Sequence, residues 1–300
     1  MTTLRVLLHI APQHDYKLHF LDFSTAFLQG SLHEEIWLRR PPGFTGTTLA
    51  ALGFAPSTAD PSLFLCTDTS LSPFYVLVYV DITRDRARRT ISLTQSHMVH
   101  QSAEPSGLYP ELVGCLMYLM TCTRPDLAYP LSLLARYVAA GRHRKVHWDA
   151  AKRVLRYLCS TLGMGLVLGG RGPVVLTGHA DASRVDDLAT QRSSQGYTFS
   201  LGSGSVSWWS TRLSSVLSSC CEAEIYAGAM AAQELRWLTY LLNDLGATSF
   251  ASSPQRGQLR LAYVATWANT ADVFTKALPP GDHQRFVTVL GLLTLLCFFS

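Results

Sequence analysis

Five carboxylates stand where strands end or helices begin, the places from which rigidly held acids can converge. Asp22 follows an alternation of Tyr16, Leu18 and Phe20, and Asp81 closes the apolar run 74–80. Asp181 follows a third predicted strand, Glu222 opens a long helical stretch, and Asp272 opens a short one. Phosphoryl transfer on nucleic acid uses two divalent ions roughly 3.5–4 Å apart, held by carboxylates from separate elements. Hard oxygen ligands suit Mg²⁺. Taken singly, each residue also has a local explanation: a strand-end aspartate caps a turn, and a first-turn glutamate is favoured by the helix dipole.

Other chemistry-bearing groups are weaker. His143 and His147 stand at i, i+4, but no acid or cysteine pattern beside them defines a zinc site. Arg142, Arg144, Lys145, Lys152, Arg153 and Arg156 form a basic cluster able to track phosphates; a solvated helix face explains it equally well. Glu224 reads as a supporting or surface acid.

The elements that must position these groups follow from periodicity. Strands are expected near 16–22, 34–39 and 74–80, after which 82–89 turns polar and basic and breaks the pattern. From Tyr109 the period becomes helical, with further helices over 125–139 and 147–159; the last points Ala151, Val154, Leu155 and Leu158 inward. Strands return over 165–168, 174–179, 196–201 and 205–210. A long helix over 222–245, a strand over 259–264 and a short helix over 271–278 complete the order. The apolar run 287–299 is shorter than the ~20 residues of a membrane helix and reads as a terminal helix packed on the body or as sequence added by a frame change. The fold class is α/β, mixed α+β.

Composition supports packed structure: of 300 residues, 48% are hydrophobic and 15% charged, which is unlike disorder. A net charge of +4 names no partner by itself. Seven cysteines, scattered apart from Cys220 and Cys221, argue for reduced thiols in an intracellular protein rather than a disulfide framework. Arg5 and His9 interrupt the first apolar run, which does not read as a signal peptide.

Longer strings add a resemblance. The run Leu21-Asp22-Phe23-Ser24-Thr25-Ala26-Phe27-Leu28-Gln29-Gly30, with Glu34-Glu35-Ile36-Trp37 and Pro41-Pro42-Gly43-Phe44, resembles the first catalytic motif of copia-type retrotransposon reverse transcriptases. Asp60-Pro61-Ser62-Leu63-Phe64 and Val78-Tyr79-Val80-Asp81 resemble the approach to its paired-aspartate motif. Tyr109-Pro110-Glu111-Leu112-Val113-Gly114, Thr123-Arg124-Pro125-Asp126-Leu127-Ala128 and the 147–158 stretch resemble the connection that follows. His179-Ala180-Asp181-Ala182, Gln191-Arg192-Ser193-Ser194, Cys220-Cys221-Glu222-Ala223-Glu224 and Ala271-Asp272-Val273-Phe274-Thr275-Lys276 resemble signatures of the family's ribonuclease H domain. The resemblance implies Asp22 and Asp81 as polymerase metal ligands. It places Asp181, Glu222 and Asp272 at three of four nuclease carboxylate positions, with Mg²⁺ or Mn²⁺ as cofactor and an RNA/DNA hybrid as partner.

Departures from that pattern matter as much. Ile82 stands where the family has a second aspartate, and it offers a metal no oxygen. The long family segments after Phe44, after Ile82 and after Gly246 are missing, the last taking the fourth nuclease acid with it; Asp244 is a remote substitute. The expected organisation is a truncated polymerase palm over 1–107, a helical connection over 108–160, a ribonuclease H-like mixed sheet with flanking helices over 161–280, and a hydrophobic tail over 281–300. Polymerase activity is expected to be lost and nuclease activity at most weak. The alternative is a non-catalytic nucleic-acid-binding protein, with no membrane role.

Overall fold

The computed structural model describes residues 1–15, 17–19, 54–56, 64–66, 73–75, 81–95, 109–138, 143–171, 175–187, 191–217, 219–245 and 262–295. Helix and sheet are mixed, as the periodicity implied. Asp22, Arg142 and the second expected strand, 34–39, lie outside the described residues.

The chain opens with α1 (Thr2–Ile10), which buries Val6, Leu7, Leu8 and Ile10 together with Arg5 and His9. The polar pair that interrupts the apolar run is therefore inside. Short strands follow: β1 (Lys17–His19), β2 (Phe54–Pro56), β3 (Phe64–Cys66) and β4 (Pro73–Tyr75). β1 pairs parallel with β4, and β2 antiparallel with β3.

The first departure comes next. The basic stretch expected to break the pattern instead forms β5 (Asp81–Asp85), which turns back into β6 (Thr90–Thr94). Charge is tolerated because β5 is the edge of a sheet ordered β11-β7-β6-β5, where a polar strand face meets water. Arg84 reaches Asp15 at 2.6 Å, and in β6 alternate residues Ile91 and Leu93 turn inward.

The helical middle matches expectation more closely. α2 (Tyr109–Cys122), α3 (Ala128–Leu134) and α4 (Lys145–Ser160) bury Leu112, Leu116, Leu119, Leu131, Leu134, Ala151, Val154, Leu155 and Leu158 in one cluster. Arg124 and Asp126 form a fully buried pair at 3.0 and 2.7 Å, and Tyr157 Oη donates to the same carboxylate at 2.7 Å. His147 Nδ1 accepts the Arg144 N–H at 2.9 Å, and its ring stacks on Tyr137.

β7 (Met164–Gly169) pairs with β6 on one side and β11 (Leu292–Thr294) on the other. It thus joins the sheet of β5 and β6 rather than the one that follows. Of the run 287–299 expected as a terminal helix, 287–289 end α6 (Pro280–Val289), a turn follows, and 292–294 form β11, while 296–299 lie outside the described residues. Gly169 takes φ +92°, and a Cβ there would meet the Arg89 carbonyl at 2.6 Å. Its N–H donates to His9 Nδ1 at 3.1 Å, docking α1 on the sheet.

The second sheet is antiparallel, ordered β10-β9-β8, from β8 (Leu176–Asp187), β9 (Arg192–Leu201) and β10 (Ser205–Arg212). Alternation divides its faces. Ser207 on one face donates to Glu234 of α5 (Cys220–Asp244). Gly196 and Ser210, on the other, meet a 3₁₀ turn, Thr270–Phe274. The expected strand over 259–264 does not appear at 262–264, which carry no regular structure. Tyr197, Phe199, Leu201, Val206, Trp208, Leu238, Leu241, Phe274 and Phe286 join α1, β6 and β7 in one core. No described helix is long and apolar enough to cross a membrane.

Candidate active site

Asp181 sits on β8 directly across from Gly196 of β9. That glycine is required by what lies above it: a Cβ would meet Phe274 Cβ at 2.5 Å and the Trp209 carbonyl at 3.0 Å. Without a side chain there, the 3₁₀ turn settles onto the sheet and lowers Asp272 beside Asp181.

Two polar clamps fix the turn. Asn269 caps it, accepting the Ala271 N–H at 3.1 Å while its Nδ2 donates to the Ala180 carbonyl at 3.1 Å. Ser210 Oγ donates to the Phe274 carbonyl at 2.6 Å. Thr275 Oγ1 then donates to Asp181 Oδ2. Lys276 closes the group, its Nζ lying 2.8 Å from Asp272 Oδ2 and 3.8 Å from Asp181 Oδ2. Asp272 is 2% exposed, and its Oδ1 has no hydrogen-bond partner.

Burial, foremost, pushes the Asp272 carboxyl above the usual carboxylate range; Lys276 opposes this and the neighbouring Asp181 adds to it. Glu224, in the first turns of α5, is also raised, chiefly by burial and then by Asp181. The Ala182 N–H and Lys276 pull it back, and Asp272 adds a smaller push. Glu224 is thus the α5 acid that shares an electrostatic environment with the pair. Glu222 begins the same helix with its N–H donating to Ser219 Oγ at 3.1 Å.

Of the residues singled out in the sequence, Asp181 and Asp272 come together. Asp81 begins β5 in the other sheet. The residues missed are Asn269, Thr275, Lys276 and the larger part played by Glu224. An asparagine directly before a helical start is a capping signal, and Lys276 at i+4 from Asp272 is an ion-pair spacing.

A resident metal pair does not fit this donor set. Among the described residues no three His, Cys, Asp or Glu side chains gather where one ion could hold them. An ammonium already contacts both aspartates.

The basic residues of the connection lie on α4. Arg144, Lys145, Lys152, Arg153 and Arg156 are all exposed, on the side away from Ala151, Val154, Leu155 and Leu158. Lys152 Nζ rests 5.5 Å from the Trp148 ring.

An α/β scaffold with paired acids on a strand and a neighbouring turn narrows the class, and comparison supplies the family. The chain is 26% identical to the retrovirus-related Pol polyprotein from transposon TNT 1-94 of Nicotiana tabacum, over 82% of this chain and 26% of that protein. It is 26% identical to the corresponding polyprotein from transposon RE2 of Arabidopsis thaliana, over 97% of this chain and 29% of the relative. Over 131 residues, 44% of the chain, it is 44% identical to the secreted RxLR effector protein 161 of Plasmopara viticola, covering 91% of that protein. Over most of its length the chain is thus similar to retrotransposon Pol polyproteins. It spans between a quarter and a third of the length of the polyproteins it matches. The match to RE2 extends over 421 residues although this chain has 300, so the relative carries long stretches that are missing here. No protein-family model and no solved structure matches the chain.

Proposed function

We propose that this is a retrotransposon Pol fragment whose ribonuclease H-like unit keeps part of its acid site and has lost efficient catalysis. One observation carries the reading: only two of the candidate acids, Asp181 and Asp272, come together among the described residues, both in contact with Lys276, whereas a two-metal nuclease holds its cations on several carboxylates. With no third donor in reach among the described residues, the site is short of the ligands that catalysis requires. The polymerase half lacks activity on sequence grounds, since Ile82 follows Asp81 and supplies no carboxylate. Losing such charge stabilisation removes several kcal/mol from the transition state.

The test is incubation of the purified chain with a labelled RNA/DNA hybrid in Mg²⁺ and, separately, Mn²⁺. The expected result is no cleavage above the Asp181→Asn background. Robust cleavage that Asp181→Asn abolishes overturns the proposal.

A second reading, nucleic-acid binding without catalysis, draws on the exposed cations of α4. Hybrid binding would then weaken steeply with salt. Replacing Lys152, Arg153 and Arg156 together by glutamine would flatten that dependence.

A further inference from the structure

We propose that Arg136 and Arg212 form a docking site for a nucleic-acid phosphate, one sheet row away from the acid pair. The inference rests on reading the acids as the remnant of a nuclease centre, and it names the groups that would hold a strand lying across them.

Register supplies the geometry. Asp181, Gly196 and Ser210 stand side by side across β8, β9 and β10, and the next row in the same alternation is Ser183, Ser194 and Arg212. Side chains two residues apart on a strand share a face. Arg212 therefore projects from the face that Ser210 and Gly196 offer to the turn carrying Asp272. The second cation comes from a distant part of the chain. A 3₁₀ turn, Ala135–Tyr137, follows α3, and from it Arg136 Nη2 donates to Ser194 Oγ at 3.3 Å. Ser132 of α3 meets Ser210 at 3.3 Å, so the helical connection is seated on the same face. Two guanidiniums thus flank Ser194, which is fully buried.

Chemistry selects the ligand. A guanidinium presents five N–H donors in a planar fork, so one bond to Ser194 does not exhaust Arg136. Both arginines are half-buried, in reach of solvent yet partly desolvated, where charge-assisted bonds to phosphate are strong. Aspartates alone repel a nucleic-acid strand, and cations in the adjoining row offset that repulsion. Rows two residues apart are separated by roughly 7 Å, comparable with the step between neighbouring phosphates of one strand. A phosphate over Asp181 therefore places its neighbour, in the direction of Ser194, at the arginines.

The experiment follows fluorescence anisotropy of a labelled RNA/DNA hybrid mixed with the full chain in EDTA, from about 50 to about 200 mM KCl. Wild type is expected to bind. Arg136→Gln/Arg212→Gln is expected to bind about tenfold more weakly at low salt, with the slope of log affinity against log salt reduced by about 1–2. Arg136→Lys/Arg212→Lys keeps both charges and is expected to keep most of the slope. Arg86→Gln/Arg88→Gln removes the same charge from exposed positions between β5 and β6 and is expected to change neither quantity. Three results overturn the inference: no binding by wild type, a glutamine variant no weaker than the Arg86/Arg88 one, or a lysine variant as weak as the glutamine one. Should the double glutamine variant fail to fold, Arg212→Gln alone decides, with an expected slope reduction of about 1. Robust hybrid cleavage once Mg²⁺ is restored defeats the reading of lost catalysis and leaves the docking site to stand or fall by the slopes.

Discussion

The guanidinium of Arg5 lies over the indole of Trp208, 3.7 Å from the ring centroid. Its Nε donates to the Val206 carbonyl at 2.6 Å and its Nη1 to the Thr121 carbonyl at 2.6 Å, while Trp208 Nε1 donates to the Met120 carbonyl at 3.1 Å. Burial works against the cation, and these acceptors with the aromatic face hold it in place. Three segments distant in sequence, α1, the end of α2 and β10, meet at this one side chain. Arg5→Met leaves at least two buried carbonyls without donors and is expected to lower stability by roughly 2–4 kcal/mol, read as a fall in the urea midpoint. Arg5→Lys should recover only part of the loss, because an ammonium lacks the planar fork that reaches both carbonyls.

The approach of the 3₁₀ turn to the sheet depends on Gly196. Gly196→Ala places a methyl group against Phe274 and is expected to cost about 1–3 kcal/mol through overpacking. Because the turn carries Asp272 and Lys276, it should also lift from β8, and limited trypsin digestion should cut after Lys276 faster than in wild type. Unchanged digestion would show that the turn holds its place by other means.

His9 sets an acid limit on stability. Its Nδ1 accepts the Gly169 N–H, so the folded ring is neutral, and burial lowers its pKa from 6.5 to about 4. Between those values the unfolded chain binds the proton and the folded chain does not. Stability is therefore fully present above pH 6.5 and falls as pH drops toward 4, by ~3 kcal/mol over the window. His9→Asn, which keeps an acceptor for Gly169, should flatten this limb in denaturation profiles taken from pH 7 to pH 4. Burial also lowers the pKa of His283 and His179, so a shallower slope should remain.

Within the helical cluster, the pair Arg124–Asp126 is 4% and 0% exposed at its side chains. Asp126→Ala strands a buried guanidinium and removes the acceptor of Tyr157 Oη; a loss of about 3–5 kcal/mol is expected. Replacing both partners with apolar residues of similar volume should be far milder. A double-mutant cycle on thermal midpoints checks this.

The helices and the second sheet were legible because their apolar periods are clean: Ala151, Val154, Leu155 and Leu158 mark a helix face in the sequence as plainly as in the structure. The β5–β6 hairpin was not, because the charges of Arg84, Asp85 and Arg86 mask a strand whose polar side chains line a sheet edge. β11 was hidden for the opposite reason, since an unbroken apolar run carries no period by which to tell strand from helix. In the site, Asp181 and Asp272 were singled out as acids at element ends, but Asp181 lies midway along β8 and Asp272 within the 3₁₀ turn, so the acids were legible and their placement was not. Nor was the choice between Glu222 and Glu224. Two positions apart on a helix, they point about 200° away from each other, and only the neighbouring strand decides which one approaches Asp181. Lys276 escaped notice because a lysine in the last turn of a short helix has an ordinary solvent-facing explanation.

The placement of β7 between β6 and β11 also constrains how the chain comes to be folded. One edge of Met164–Gly169 can be paired as soon as it is synthesised, since Thr90–Thr94 is already made. The other must wait for Leu292–Thr294, after the whole of the second sheet and α5 has emerged. During that interval a buried-type apolar strand has a bare side, open to other nascent copies. A chain halted before Leu292 would keep that side bare, so its yield in soluble form would drop even though every acid of the candidate site is present.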